Sequence, residues 1–236
     1  MKTKKRRGFT LVELLVVIAI IALLISILLP SLNRARQSAK RTVCASNMRG
    51  LVQAVYLYAN DYKGRLPSVG LSHGGHADEH AAWINTLRKD YGNDLIARCP
   101  TDESPYWKTP LLTTKTLRRT SFATNYYTAA EIAGRGPYDD LSKFPRANKT
   151  VFLAELAETG EFAASDHVHP ETWWSNPRKL AGQELAFERH LKQANYGFID
   201  GHVATFKFEE TYSIDRTSRL PNIKWAHNFY DPFIAR

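Results

Sequence analysis

The sequence predicts an α+β protein in which one long amino-terminal helix packs on a small antiparallel β-sheet domain. Three observations favour this fold class. An apolar run of 19 residues, Leu11 to Leu29, leads directly into an amphipathic helical pattern. Further along, short segments rich in aromatic and β-branched residues are separated by turn residues, as strands are. Asp200-Gly201 lies between two such segments and predicts a hairpin, because glycine accepts the positive φ of a tight turn.

The apolar run is interrupted only by Glu13 and Ser26. About 20 helical residues at ~1.5 Å each cross a hydrocarbon layer about 30 Å thick, so the run is long enough to span a membrane. Positive charge in the preceding leader, residues 1–8, predicts that this end stays in the cytoplasm and the rest of the chain lies outside. The basic residues of the leader are Lys2, Lys4, Lys5, Arg6 and Arg7.

Two details separate this run from a secretory signal peptide. The residues that follow it, 30–36, do not form the A-x-A-like cleavage site of such a signal. Glu13 is a carboxylate near one end of a membrane helix, where an ionised group is costly and is normally paired. No Lys or Arg lies three or four positions from it within the span, so we expect its partner to come from another group, such as another molecule.

The segment Gly8-Phe9-Thr10-Leu11-Val12-Glu13 resembles the processing site of type IV prepilins and of the pseudopilins of type II secretion. The resemblance implies that a prepilin peptidase cuts after Gly8 and methylates the new amino terminus, Phe9. It also implies that Glu13 pairs with the amino terminus of a neighbouring subunit during filament assembly. Pro30 matches the position at which such helices bend, since proline removes a backbone hydrogen bond.

The resemblance divides the chain into four parts. Residues 1–8 are the leader, 9–30 the transmembrane half of the helix, 31–64 its amphipathic periplasmic half, and 65–236 a periplasmic globular α+β domain. Gly64 is the predicted stop of the helix. The apolar stripe of the amphipathic half recurs at steps of three and four through Cys44, Met48, Leu51, Val55, Tyr58 and Tyr62.

The chain has two cysteines, Cys44 and Cys99. Cys44 lies on the stripe that faces the globular domain, so a disulfide to Cys99 would tie the helix to the domain in an oxidising compartment. Such a bridge typically adds about 2–4 kcal/mol of stability. The alternative is two separate buried thiols. Their spacing does not indicate a zinc site.

His190, followed after nine residues by Asp200-Gly201, resembles the H-x(9)-D-G element of a processing-associated carboxy-terminal domain. That domain accompanies prepilin-type amino termini in some bacteria. One interpretation makes His190 and Asp200 a metal or interaction site at the hairpin tip. The interpretation we favour is a histidine bonded to a turn backbone and an aspartate chosen for turn geometry.

Other polar groups have both a functional and a structural interpretation. The histidine groups could bind zinc, although surface histidines are common, and the chain lacks an acidic loop dense enough to indicate calcium. We therefore expect no cofactor, with zinc or calcium as the alternative. Glu155 and Glu158 are expected to be solvated turn acids, and Trp173 and Trp174 to be packing or subunit contacts. The candidate metal-ligand groups are His73, His76, Asp78 and His80, and separately His167 and His169.

Four further segments have predicted structure. Residues 79–91 show helical spacing. Residues 121–128 and 150–154 read as strands. Residues 160–183 are expected to form a long irregular loop with a packed aromatic centre.

The predicted function is structural: a subunit of a type II secretion pseudopilus in the bacterial inner membrane. The resemblance implies partners: the prepilin peptidase, other copies and pseudopilins, the inner-membrane assembly platform and the membrane. Alternatives are a type IV pilus subunit and a membrane-anchored metal- or glycan-binding domain. No nucleophile motif or nucleotide fingerprint indicates an enzyme. Nucleic acid is not an expected partner, because five of the nine net positive charges belong to the leader and only +4 remains.

Overall fold

The computed structural model describes residues 11–70, 82–88, 96–130, 132, 134, 136–215 and 224–235 of the 236-residue chain. Residue contacts divide the chain into two compact units, residues 1–39 and residues 40–236. The predicted amino-terminal helix is confirmed as α1, Leu11–Asp61, and Pro30 lies inside it. The bend predicted at Pro30 stays a prediction.

The remaining elements belong to the second unit. Its helices are α2 (Trp83–Thr86), α3 (Pro177–Glu184) and α4 (Phe208–Thr211). Its strands are β1 (Phe122–Asn125), β2 (Val151–Glu155), β3 (His167–Val168), β4 (Ala194–Phe198), β5 (Val203–Phe206), β6 (Tyr212–Ile214) and β7 (Trp225–Asn228).

The amphipathic half of α1 packs with the stripe that its periodicity predicts. Cys44, Met48, Leu51 and Val55 are all buried, while Tyr62 is 45% exposed. Tyr62 departs from the prediction because it follows the last helical residue. The helix stops where predicted: Gly64 has a φ of +90°, and its N–H donates to the carbonyl of Ala59 at 2.7 Å.

The main sheet has five strands in the order β3-β1-β2-β4-β5. All neighbouring pairs are antiparallel except β1 and β3, which are parallel. The sheet is therefore mixed, and the prediction of a purely antiparallel sheet is wrong on this point. The hairpin predicted at Asp200-Gly201 is confirmed as β4–β5, with Tyr196 opposite Ala204.

Strand β4 separates the two apolar cores of this unit. Tyr196 and Phe198 face a core on one side, as predicted, together with Trp173 and Tyr230. Gly197 faces the other core, which α1 closes, and an added Cβ there would lie 3.0 Å from Val52. The alternation follows from the two-residue period of a strand.

Several local predictions need correction. Residues 160–183 hold β3, a 3-10 helix (Pro170–Ser175) and most of α3 rather than an irregular loop. The strand predicted over residues 121–128 ends at Asn125, because the Asn125 carboxamide accepts from the N–H of Tyr127 and starts a 3-10 turn. Of the helix predicted over residues 79–91, the described part is α2.

Candidate functional site

The amino-terminal segment carries a continuous apolar surface. Every residue from 11 to 37 is exposed, and Glu13 lies in the first turn of α1. Ser26 is satisfied locally, because its hydroxyl donates to the carbonyl of Leu23 at 2.7 Å. Among the described residues, α1 is long and apolar enough to cross a membrane. The predicted processing residues Gly8 and Phe9 lie outside the described residues, so the cleavage site stays a prediction.

A second site lies where the amphipathic half of α1 meets the sheet. Cys44 comes from the buried stripe of α1, and Cys99 from the loop before β1. The structure brings the two sulfurs into one cluster, as the sequence predicts, but holds them as buried free thiols. The predicted disulfide is therefore not formed in the structure, and it stays a prediction.

Glu155 and His190 complete this cluster, in which one ligand-type atom from each of the four residues lies within 4.8 Å of the others. The Cys99 sulfur lies 3.5 Å from His190 Nε2, which is 3.1 Å from Glu155 Oε1. The Cys44 thiol donates to the same carboxylate oxygen at 3.4 Å. We call these four residues the Cys–His–Glu cluster.

The position of Glu155 corrects a prediction. It was expected to be a solvated turn acid, yet it is the last residue of β2 and its side chain has no exposed surface. Asn195 in β4 fixes its carboxylate, because the backbone N–H and the side-chain amide of Asn195 both donate to Oε1, at 3.1 and 2.9 Å. Glu158, in contrast, is 31% exposed at its side chain and accepts from Arg189.

His190 and Asp200 lie in different parts of the fold, so the interpretation that they form one site at the hairpin tip is wrong. His190 is buried in the Cys–His–Glu cluster, and it contacts the turn through its backbone: its N–H donates to the carbonyl of Gln193, and its carbonyl accepts from the N–H of Gln193. Asp200 lies at the hairpin tip, where its carboxylate accepts from the N–H of His202 at 3.2 Å and contacts the imidazole. The turn interpretation thus fits Asp200 and Gly201, whose φ is +94°.

A buried ion-pair network borders the cluster. Arg118 and Asp102 pair at 2.6 Å with no exposed side-chain surface on either residue. Arg189 lies between this pair and the cluster, 3.8 Å from Asp102 and 3.7 Å from Glu155 Oε2. No sequence motif indicates this network, because its members are widely separated in the chain.

The surroundings shift the pKa values of the cluster. Burial raises the pKa of the Cys44 thiol, whereas a hydrogen bond with Cys44 lowers the pKa of Cys99. Burial alone would lower the pKa of His190, but hydrogen bonds to Cys99 and Glu155 outweigh it and raise this pKa to about 9.

The other histidines that were candidate metal ligands are not members of the Cys–His–Glu cluster. His167 Nδ1 lies 2.9 Å from Asp166, and His169 Nδ1 lies 3.2 Å from Glu184. Both rings pack against Tyr126. The group His73, His76, Asp78 and His80 lies outside the described residues.

Of the two tryptophans that were predicted to pack, one is buried and the other is partly exposed. Trp173 is fully buried, and its indole N–H donates to Glu184 at 3.1 Å. Trp174 is 40% exposed. The packing interpretation therefore fits Trp173.

Comparison with known proteins addresses the amino-terminal part of the chain. Residues 3–29 match the prokaryotic N-terminal methylation motif. The type IV wide pilus major component PilA4 of Thermus thermophilus is 43% identical over 58 residues, which are 25% of this chain and 44% of that protein. The chain thus spans less than half of that relative, and no solved structure matches it. The H-x(9)-D-G resemblance is not tested by these matches. The methylation motif and the similarity to PilA4 show that the amino-terminal part of the chain is similar to that of type IV prepilins.

Proposed function

We propose that the chain is a structural subunit that is stored in the inner membrane, processed by a prepilin peptidase and assembled into a helical filament. The observation that carries this proposal is an N-terminal methylation motif on a helix whose apolar run, residues 11–29, is exposed throughout. An apolar surface of this length needs a covering, which lipid supplies before assembly and neighbouring helices supply afterwards.

Processing creates a positively charged group that can pair with Glu13 of a neighbouring subunit. Cleavage after Gly8 frees the amine of Phe9, and methylation of that amine keeps its positive charge. An ionised carboxylate is costly in lipid unless it is paired. When Glu13 pairs with the amine of an adjacent subunit, the two opposite charges neutralise each other within the apolar environment. The pair also sets the register between neighbouring helices.

The proposal fixes an orientation. The leader stays in the cytoplasm, residues 9–30 span the membrane, and residues 31–236 lie in the periplasm until the subunit enters the filament. The partners are the prepilin peptidase, the inner-membrane assembly platform and other subunits of the same filament. In this proposal the chain is a substrate of the peptidase and a building block of the filament.

Two filament systems are candidates. The sequence favours a type II secretion pseudopilus, and this remains our first assignment. The similarity to PilA4, a major component of a type IV wide pilus, favours a type IV pilus as the second. Shearing of intact cells separates them: a pilus releases long filaments that contain this chain. A pseudopilus releases none, and deletion of the gene then blocks protein secretion.

The processing step is tested by the mass of the amino-terminal peptide from native membranes. We expect a peptide that begins at Phe9 and carries one added methyl group. The substitution Gly8→Val should leave the leader attached, because a larger side chain occupies the position before the cut, whereas Thr3→Ala should be processed normally. An intact Met1 leader on the wild-type chain would contradict the proposal and favour a membrane-anchored binding domain instead.

A further inference from the structure

The Cys–His–Glu cluster joins four distant parts of the chain. Cys44 belongs to α1, Cys99 to the loop before β1, Glu155 to the end of β2 and His190 to the turn before β4. All four residues are at most 1% exposed. Thiolate, imidazole and carboxylate are the donor types of protein zinc sites, so the cluster holds a complete set of four donors.

Three of the six donor separations in the cluster are close to those of tetrahedral coordination. Zinc bonds of about 2.3 Å to sulfur and about 2.0–2.2 Å to nitrogen and oxygen place tetrahedral donors about 3.5 Å apart for sulfur with nitrogen or oxygen. The same geometry gives about 3.3 Å between nitrogen and oxygen. The observed separations are 3.5 Å for Cys99 and His190, 3.4 Å for Cys44 and Glu155, and 3.1 Å for His190 and Glu155.

A further feature of the cluster suits a cation. The second carboxylate oxygen of Glu155, Oε2, is buried and has no hydrogen-bond partner among the described residues. Buried polar atoms are nearly always bonded, so this oxygen leaves a position open for an ion or a water. The carboxylate is already oriented by the two bonds from Asn195. An outer group of this kind typically fixes a metal ligand in place.

The charges around the cluster also balance with a metal present. The buried set contains the carboxylates of Glu155 and Asp102 and the guanidinium groups of Arg118 and Arg189. Exchange of the two thiol protons for Zn²⁺ leaves the net charge of this set unchanged. A divalent metal therefore enters without an uncompensated buried charge, which would be strongly destabilising.

We propose that Cys44, Cys99, His190 and Glu155 form a structural zinc site that fastens α1 to the sheet. Because the site is fully enclosed, the metal binds during folding, and its binding energy stabilises the globular unit. The thiolates of both cysteines are then zinc ligands instead of disulfide partners. The site also gives His190 of the H-x(9)-D-G element a role, separate from the turn role of Asp200. This inference is independent of the filament assignment.

The test is metal and thiol analysis of the full-length chain, purified in detergent without oxygen. We expect one zinc per chain. Denaturation without reductant should release this zinc and expose two reactive thiols. Chelator should lower the midpoint of thermal unfolding of the wild-type chain. The double variant Cys44→Ser/Cys99→Ser should hold at least about 10-fold less zinc, and chelator should leave its midpoint unchanged.

Cobalt gives a second, spectroscopic readout of the site. The chelated wild-type chain titrated with Co²⁺ should develop the thiolate-to-cobalt charge-transfer and tetrahedral absorption bands. Glu155→Gln retains the bonds from Asn195 but weakens the ligand, so it should shift the tetrahedral bands. His202→Gln, an exposed histidine at the hairpin tip, should match the wild type.

Two results would overturn the proposal. A wild-type chain that yields no thiols without reductant and is two hydrogens lighter than the reduced chain contains the disulfide instead. Two free thiols with neither bound zinc nor a cobalt spectrum make the cluster a pair of buried thiols. Both outcomes leave the processing of the amino terminus unaffected, so failure here is distinguishable from failure of the filament proposal.

Discussion

Arg118 shows how single residues stabilise the globular unit. All five N–H donors of its buried guanidinium are used, on the carboxylate of Asp102 and on backbone carbonyls. Burial lowers the pKa of Arg118 to about 10, although Asp102 opposes this shift. Burial likewise raises the pKa of Asp102, but the two neighbouring arginines outweigh it and lower this pKa. Each charge is therefore stable in the interior only because the other is present.

Removal of one partner should thus be costly. We expect Arg118→Met to lower the free energy of unfolding of the full-length chain by about 3–5 kcal/mol, because Asp102 stays buried without its close partner. Thermal or denaturant unfolding in detergent measures the change. Arg178→Met is the matched control: this arginine is 55% exposed and pairs with two glutamates, so its loss should cost no more than about 1 kcal/mol. Equal losses in the two variants would contradict the importance of burial.

At the scale of single residues, the sequence predicts local turn structure correctly but does not reveal contacts between residues that are far apart in the chain. Asp200 and Gly201 were assigned correctly because a tight turn depends on neighbouring residues alone. Glu155 was assigned to a solvated turn because its side-chain partners are 34 or more positions away. One signal could have found it: Glu155 ends the strand V-F-L-A-E, whose other residues are all apolar and all buried. A carboxylate that continues such a strand is a candidate for a buried ligand.

In the globular unit, one side of helix α1 is buried against the sheet and the other side is exposed. Leu51 is fully buried against the sheet, while Leu57 on the same helix is 59% exposed. We expect Leu51→Ala to lower the free energy of unfolding by about 2–5 kcal/mol through lost burial and a residual cavity. Leu57→Ala should leave it nearly unchanged in the unassembled chain. A large loss in the Leu57 variant would show that the exposed side is covered in the single subunit.

Gly197 allows α1 and β4 to approach closely. An added Cβ would lie 3.0 Å from Val52 Cγ2 and 3.3 Å from Met48. We therefore expect Gly197→Ala to destabilise the chain by about 1–3 kcal/mol, measured as a shift in the unfolding midpoint. Gly182→Ala in α3 should be neutral or stabilising by up to about 1 kcal/mol, because its Cβ would lie 3.5 Å from Phe187 and alanine favours a helix. Similar losses in both variants would rule out the close approach as the cause.

Long periodic elements were predictable, and short ones were not. Helix α1 and the β4–β5 hairpin were found because each repeats a pattern over many residues or contains a definite turn signal. The elements between residues 160 and 183 are short and depend on tertiary contacts. One such contact is the hydrogen bond from Trp173 to Glu184. The parallel pairing of β3 with β1 was missed for the same reason, since β3 has only two residues.

For the whole molecule, the two compact units need different environments. Residues 40–236 contain two apolar cores and a buried ion-pair network of their own. In the first unit, the described residues from 11 to 37 are all exposed. The globular unit therefore covers its own apolar residues, whereas the apolar helix needs lipid or other helices to cover it. This division suits a subunit that moves from one of these environments to the other.

The transfer from lipid to filament should depend on Glu13. Glu13→Gln keeps the shape of the side chain but removes the charge that would pair with the amine of Phe9 in a neighbouring subunit. We expect normal cleavage, an unchanged amount of protein in the membrane and at least a 10-fold fall in the filament fraction. Ser26→Ala is the control, because Ser26 bonds within its own helix and its loss leaves every charge in place. The ratio of filament to membrane protein, measured by quantitative immunoblotting, gives the result. Normal filament assembly by Glu13→Gln would show that helix packing alone drives the transfer and that the carboxylate has another role.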